Sequence, residues 1–487
     1  MKKHHLSPAD RAFYTLVSRA VFANPFSPER AELDREITGR KTVAPRRIML
    51  PEVIKELSER LRALEAKGYT SIEHFLPEDQ EALRFVFLFE VYHRFMEQFD
   101  RLILEQTAAG ADSLPVPFAN EALTALRNRG FTPGEATRYL SFFYQIRRAF
   151  FFIDSGLTGQ CSSMQNFRMN LWNNIFTCDI LHYEQTLWNK MEDFSTLLLG
   201  PTGCGKGAAA AAIGRSGYIP FDERKGSFTK SFTTTFITIN LSQYPESLIE
   251  SELFGHAKGA FTGAVSAHRG MFSLCGPHSS IFLDEIGDLT QPVQIKLLKV
   301  LEERVFSPVG SHERLNFHGR IIAATNKCLS RLRQEGKFRD DFFYRLCSDC
   351  INVPPLAQRI QENPNELAEL VTHTVEHIAG KRSERLVETV KDVIDKRLGR
   401  DYQWPGNVRE LAQCVRRVII KRDYRGDYTV SDDPRLRYLE EVKAGTLDAG
   451  ALLSGYCRAL YKRYGTYQKV ADITGLDRRT VKKHIDG

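Results

Sequence analysis

The 487-residue sequence has no apolar run near the roughly 18 residues that span a bilayer, so no membrane-crossing helix is expected. Its opening, MKKHHLSPADRAF, has cations but lacks the apolar stretch of a secretory signal. Nine cysteines are scattered without regular spacing, an odd number that argues against a disulfide framework and for reduced thiols in a cytoplasm. Cys347 and Cys350 form a C-x-x-C, but no second pair follows at zinc-ribbon spacing, so buried thiols are expected. HTVEH, from His373 to His377, matches a short zinc-protease pattern without a third ligand. It reads as the polar face of a helix whose apolar residues are Leu367, Leu370, Val371, Val375 and Ile378. Internal repeats are missing, and no early acidic cluster on a βα unit marks a phosphorylated receiver domain.

What is present fits about three domains at roughly 150 residues each. Residues 1–154 read as helical. PEVIKELSERLRALEAKG places Val53, Ile54, Leu57, Leu61 and Leu64 at helical spacing with Pro51 near its start, and EDQEALRFVFLFEVYHRFMEQFDRLILEQ reads as one long helix. Dense aromatics here suggest a core, and no motif gives this region a chemical role. From Gly156 the pattern changes to short apolar runs, FSTLLLG, TTTFITIN, SSIFLDE and HGRIIAATN, separated by helical segments, which implies a parallel α/β sheet.

Two of those runs end in phosphate chemistry. LLLGPTGCGKG carries G-x-x-x-x-G-K between a strand and a helix, the context of a P-loop. Gly200, Pro201, Thr202, Gly203, Cys204 and Gly205 would turn backbone N–H groups toward phosphates, with Lys206 reaching the β and γ positions. The Ser/Thr that commonly follows the lysine is Gly207 here, so that hydroxyl ligand for Mg²⁺ is lacking. In SSIFLDE a strand ends in Asp284, a candidate Mg²⁺ ligand, and Glu285, placed to orient an attacking water.

The segments ESELFGHAKGAFTGA, FLDEIGDL, QIKLLKVLEE, RIIAATN, GKFRDDFFYRL and WPGNVREL, in that order, resemble the AAA+ domain of bacterial sigma-54-dependent transcription activators. The resemblance covers roughly residues 156–422 and does not reach the first 150. It implies an AAA+ P-loop α/β fold with a helical lid, hydrolysis of ATP with Mg²⁺, and a ring oligomer, usually a hexamer. It further implies contact with sigma-54 RNA polymerase through the loop Gly259, Ala260, Phe261, Thr262, Gly263 and Ala264. A phenylalanine among small residues suits a movable contact better than a core. By the same resemblance Arg339 and Arg345 are arginine fingers, Thr325 and Asn326 form sensor I, Arg409 is sensor II, and Asn240 holds Glu285 between turnovers. The chain departs from the family at Gly207, where most members have Glu, and in two long connections, FTCDILHYEQTLWNKM and GYIPFDERKGSFTKSFTTTFITIN.

The last 37 residues hold eight cations against three anions, most of the chain's net charge of +7. YGTYQKVADITGLDRRTVKKHI reads as two helices turning at Gly475, with Asp477 as N-cap and Arg478, Arg479, Thr480, Lys482 and Lys483 opening the second. It resembles a Fis-like helix-turn-helix for double-stranded DNA upstream of a promoter. The expected organisation is a helical regulatory domain over 1–154 with an unidentified signal or protein partner, an ATPase subdomain over 155–355, a lid over 356–425, a linker over 426–445 and the helix-turn-helix over 446–487. Two alternatives remain: a DNA-binding AAA+ regulator or repressor, and a protein-remodelling ATPase, neither acting on sigma-54.

Overall fold

In the computed structural model, which describes residues 3–399, 401–426, 442, 445 and 447–486, five strands form one parallel sheet. They are β1 Thr196–Leu199, β2 Phe236–Asn240, β3 Ser280–Asp284, β4 Arg320–Thr325 and β5 Asp349–Asn352. Their spatial order is β5-β1-β4-β3-β2. β1 therefore lies between two strands from later in the chain, and its C-terminal end opens into the crevice where such sheets bind ligands. All six residues of β4 are buried, as a strand covered on both faces requires. The edge strand β5, which holds Cys350, has no apolar run to announce it; only Ile351 is buried.

The described residues 3–156 form seven α-helices: Pro8–Phe22, Pro28–Thr38, Arg46–Glu65, Pro77–Arg94, Met96–Ala109, Ala119–Asn128 and Pro133–Gly156. Ser7, Ser27 and Thr132 cap three of them through their hydroxyls, each followed by proline, which needs no amide partner at that position. Two expectations change. The helix carrying Leu57 begins at Arg46, so Pro51 lies inside it. The expected long helix breaks at Phe95, whose non-helical backbone lets its ring stack in the core on Phe118, 5.9 Å away.

This helical layer shares its core with the five-stranded sheet. One buried apolar cluster runs from Leu6 through Phe142 and Trp172 to Ala209, Ile213 and Ile351. Helix Pro133–Gly156 lies along the P-loop helix Lys206–Gly214 and grips its C-terminal end. Arg148, fully buried, donates to the carbonyls of Arg215 at 2.5 Å and Gly217 at 2.7 Å, while Gln145 donates to that of Ser216 at 3.0 Å. Carbonyls at a helix C-terminus favour a cation. Burial nonetheless pushes the Arg148 pKa down to about 10.

The two long connections complete the joint. In the second, Phe221–Asp222 pairs antiparallel with Ser227–Phe228, and this ribbon docks on the helical layer. Val116 N donates to Gly226 O at 2.8 Å, Ser113 Oγ to Phe228 O at 2.6 Å, and the Tyr144 and Phe228 rings stack at 4.0 Å. In the first, Tyr183 is fully buried and its hydroxyl accepts from Gln145 at 2.7 Å.

The lid consists of Leu356–Glu362, Asn365–Ala379, Glu384–Arg397 and Asn407–Lys421 around Val371, Val375, Trp404 and Leu411. Ala449–Tyr464, Tyr467–Thr474 and Arg478–Asp486 form a small three-helix unit on Cys457, Val470, Ala471 and Val481. Most of the expected 426–445 linker lies outside the described residues.

Replacing Arg148 by leucine leaves two buried carbonyls without partners, at about 1–3 kcal/mol each. Arg148→Leu is expected to lower stability by roughly 3 kcal/mol in denaturant unfolding; an unchanged midpoint would contradict the joint.

Candidate functional site

The C-terminal ends of β1, β3 and β4 converge on a cleft of about 590 Å³. Its floor is the P-loop. Gly203 has φ +80°, and a Cβ there would come within 2.3 Å of the Gly406 carbonyl, so only glycine lets the loop pass under the lid. Lys206, 7% exposed, donates through Nζ to the carbonyls of Gly200 at 2.9 Å and Pro201 at 3.3 Å, curling back over the loop it follows. Burial pushes the Cys204 thiol up, so it serves as apolar filling under the loop.

Across the floor, burial raises the pKa of Asp284, while a hydrogen bond from Glu285 N and the charges of Lys206 and Arg409 act the other way. Glu285 has φ +58°, a left-handed backbone unusual for a side chain of this size. Its Oε2 accepts from Asn326 N at 3.3 Å, and Asn326 Nδ2 donates to Thr202 Oγ1 at 2.8 Å, which joins the acid, the β4 end and the P-loop. Asn240 lines the same cleft, but its Oδ1 accepts from Ser242 N at 3.0 Å and Ser242 Oγ at 2.7 Å. The expected hold of Asn240 on Glu285 is therefore not made here; Asn326 takes that place.

The walls come from outside the sheet. Gly156, Leu157 and Thr158, at the end of helix Pro133–Gly156, form one side with Met164 and Phe167. Leu370, His373, Thr374, Val408, Arg409 and Ala412 of the lid form the other. A buried ion pair ties the sides together. Arg359 donates to Glu366 Oε1 through Nε at 2.9 Å and to Thr158 O through Nη2 at 2.6 Å; Gln160 N donates to Glu366 Oε2 at 2.9 Å. Gly159 has φ +129°, and a Cβ there would lie 1.9 Å from Glu366 Oε1. The lid meets the P-loop through Asn407, whose Nδ2 donates to Thr202 O at 3.0 Å and whose Oδ1 accepts from Leu356 N at 2.8 Å.

Of the residues expected here, Thr202 to Gly207, Asn240, Asp284, Glu285, Asn326 and Arg409 line the cleft. Thr325 is buried behind it, its Oγ1 accepting from Lys327 N at 3.1 Å. A Cβ at Gly207 would meet nothing within 4 Å, so the position facing the cleft is open. Arg339 and Arg345 do not line this cleft. Arg339 is paired with Asp341 at 2.6 Å, and Arg345, exposed, donates to the Leu301 carbonyl at 3.0 Å. The apolar wall at Leu157, Met164 and Phe167 was missed. Packing against a flat apolar group leaves no spacing motif.

The loop 257–267 rises from the two-stranded ribbon Gly255–His256 and His268–Arg269. Its turn is tight: Gly259 N donates to Ala264 O at 2.8 Å and Ala264 N to Phe261 O at 3.0 Å. Ala264 is buried, Phe261 is 40% exposed and Val265 81% exposed. The His256 ring touches Phe261 edge-on at 4.9 Å. The chain leaves the cleft at Asn240, forms helix Glu246–Phe254 and the ribbon, and returns through β3 to Asp284.

In the C-terminal unit Asp477 caps the last helix as expected, accepting through Oδ1 from Arg479 N at 2.9 Å and Thr480 N at 3.0 Å, and through Oδ2 from the Thr480 hydroxyl. Arg478, Arg479, Lys482 and Lys483 are exposed, and among the described residues none of them forms an ion pair.

Residues 181–352 match the Sigma-54 interaction domain family, and residues 361–430 match the AAA+ ATPase lid domain family. The Nif-specific regulatory protein of Azotobacter vinelandii is 39% identical over 246 residues, which are 50% of this chain and 42% of that protein. The transcriptional regulatory protein GlrR of Escherichia coli K12 is 38% identical over 236 residues, 48% of this chain and 49% of that protein. The DNA-binding transcriptional regulator NtrC of Azospirillum brasilense is 39% identical over 328 residues, 60% of this chain and 64% of that protein. The chain thus spans about half the length of the curated relatives it matches. A solved structure of NtrX from Brucella abortus in complex with ATP covers 75% of this chain and 80% of its own, at 21% identity and a TM-score of 0.39.

Asn407→Ala strips partners from Leu356 N and Thr202 O. Its expected effect is a loss of about 2 kcal/mol in stability together with weaker binding of a non-hydrolysable ATP analogue. Calorimetry on the variant checks both; wild-type affinity would contradict the role of Asn407 in closing the cleft.

Proposed function

As the chain belongs to the sigma-54-dependent activator family of AAA+ ATPases, with a sigma-54 interaction domain over 181–352 and its lid over 361–430, we propose that it hydrolyses ATP to remodel a sigma-54 RNA polymerase closed complex from an upstream DNA site. The observation that carries this reading is the insertion of an exposed phenylalanine-tipped loop between β2 and β3, whose ends, Asn240 and Asp284–Glu285, both line the cleft. A change at the phosphates reaches both stems of the loop.

The cleft suits Mg·ATP: a glycine turn that side chains would block, a buried lysine at its end, two acids opposite and an apolar wall for a base. Lys206 and the P-loop amides hold the phosphates. Asp284 would hold Mg²⁺, whose charge would offset that of the transferring phosphoryl group. Glu285, with its carboxylate placed by Asn326 N, orients and polarises the attacking water. Asn240 switches between Ser242 and Glu285 as the nucleotide state changes. Arg339 and Arg345 act on the cleft of a neighbouring copy in a ring, usually a hexamer, after leaving Asp341 and the Leu301 carbonyl. The helical layer regulates turnover, and Arg478, Arg479, Thr480, Lys482 and Lys483 contact duplex DNA.

Phe261→Ala separates this reading from the rival regulator and remodelling ATPase. Loss of an aromatic anchor at a binding hot spot costs about 2 kcal/mol or more, so promoter opening with sigma-54 polymerase is expected to collapse while ATP turnover and melting midpoint stay near wild type. Normal promoter opening would sink the contact role. For the DNA site, alanine at Arg478, Arg479, Lys482 and Lys483 is expected to weaken binding and flatten its dependence on salt. The same slope of log affinity against log salt in the variant would refute it.

A further inference from the structure

The helical layer contains a pocket of about 90 Å³ that nothing in the proposed ATPase cycle uses. It lies where helices Pro8–Phe22, Pro28–Thr38, Pro77–Arg94 and Pro133–Gly156 meet the helix Ser162–Phe176. Its walls are mostly aromatic, with Phe85, Phe89, Phe142, Phe143, Phe150 and Trp172 among them. Such a space could be a simple packing defect, but its polar groups argue otherwise.

Arg30, 5% exposed, and Arg46 both line it. Arg30 uses Nε on Asp34 at 2.8 Å and Nη1 on the Ala20 carbonyl at 2.9 Å, which leaves its buried Nη2 without a partner. Arg46 Nη1 is likewise buried and unpartnered, and Arg46 forms no ion pair among the described residues; its guanidinium lies over the Phe150 ring at 5.2 Å. Burial, and then repulsion from Arg30, bring the Arg46 pKa down to about 9, so it keeps its charge at neutral pH. The cavity's own carboxylate, Glu184, is already paired with Arg138 at 2.5 Å. His93 adds an acceptor. Burial pushes its pKa down to about 3, so the ring is neutral; Nδ1 donates to Phe89 O at 2.8 Å, and the buried Nε2 is left with a free lone pair.

Unpaired guanidinium N–H groups in an apolar space are costly, and a bound anion removes that cost. We propose that this cavity binds a small organic carboxylate, its anionic end on Arg30 Nη2 and Arg46 Nη1 and its apolar body among the phenylalanines. The volume limits that body to a short branched chain or, with slight outward movement of the walls, one ring; an engineered cavity of roughly 150 Å³ takes up benzene. The ligand would press on Ile146 and Phe150, which flank Arg148 on the helix that holds the P-loop helix and ends beside the cleft at Gly156.

The test is thermal melting of the full chain with sodium benzoate or sodium 3-methylbutanoate, against sodium chloride at equal ionic strength and against benzyl alcohol. At saturation a carboxylate is expected to raise the midpoint by about 2–4 °C, with no rise from benzyl alcohol. Arg46→Met, which removes the unpaired buried cation, is expected to fold with an equal or higher midpoint and to lose the response, while Arg46→Lys keeps part of it. No rise with either carboxylate, an equal rise with benzyl alcohol, or an undiminished rise in Arg46→Met would overturn the assignment. The assay needs no ATP turnover, so it succeeds or fails separately from the proposed hydrolysis.

Discussion

The buried guanidinium of Arg148 makes one body of two regions that differ in sequence character. It sits at the carbonyl end of the helix whose amide end is the P-loop. A cation there is favoured by the helix dipole and satisfies carbonyls that would otherwise be buried without donors. Gln145, on the same helix, binds the carbonyl between its two partners. The helical layer and the phosphate site therefore cannot move independently without exposing or orphaning these groups.

The opposite end of the P-loop helix is held by a different device. Asn407 and the backbone around Gly406 bring the lid down on Thr202 and Gly203, and the buried Arg359–Glu366 pair ties the lid to the segment 158–160. Breaking one partner of such a pair leaves an uncompensated buried charge, so the lid and the segment 158–160 are expected to move as a unit. The cleft is thus bounded by three parts of the chain: sheet, lid, and the exit of the helix that also carries Arg148. A ligand in the helical layer and a nucleotide in the cleft would act on opposite ends of the same packed helices.

Much of the cleft was legible in the sequence because phosphate chemistry restricts residue types at fixed spacing. Gly203, Lys206, Asp284 and Glu285 stand where the motifs put them, and Asp477 caps the helix that its position beside Gly475 foretold. The lid contact at Arg409 was found through the resemblance rather than through any local rule. Other features had no local signature. The break at Phe95 separates two stretches with the same helical periodicity, and only tertiary packing decides it. The long connection around Phe221–Phe228 looked like a departure from the family pattern; its purpose appears only with its partners Ser113, Val116 and Tyr144, about a hundred residues earlier. The choice of Asn326 over Asn240 as neighbour of Glu285 depends on side-chain geometry that spacing does not encode.

The central claim is that the acid pair at the end of β3 works on nucleotide held by Lys206. The most direct measurement is ATP affinity and steady-state ATP hydrolysis of Glu285→Gln beside the wild type. The account predicts affinity within a few-fold of wild type and turnover lower by at least about two orders of magnitude, since water is no longer polarised. Wild-type turnover in Glu285→Gln would contradict it.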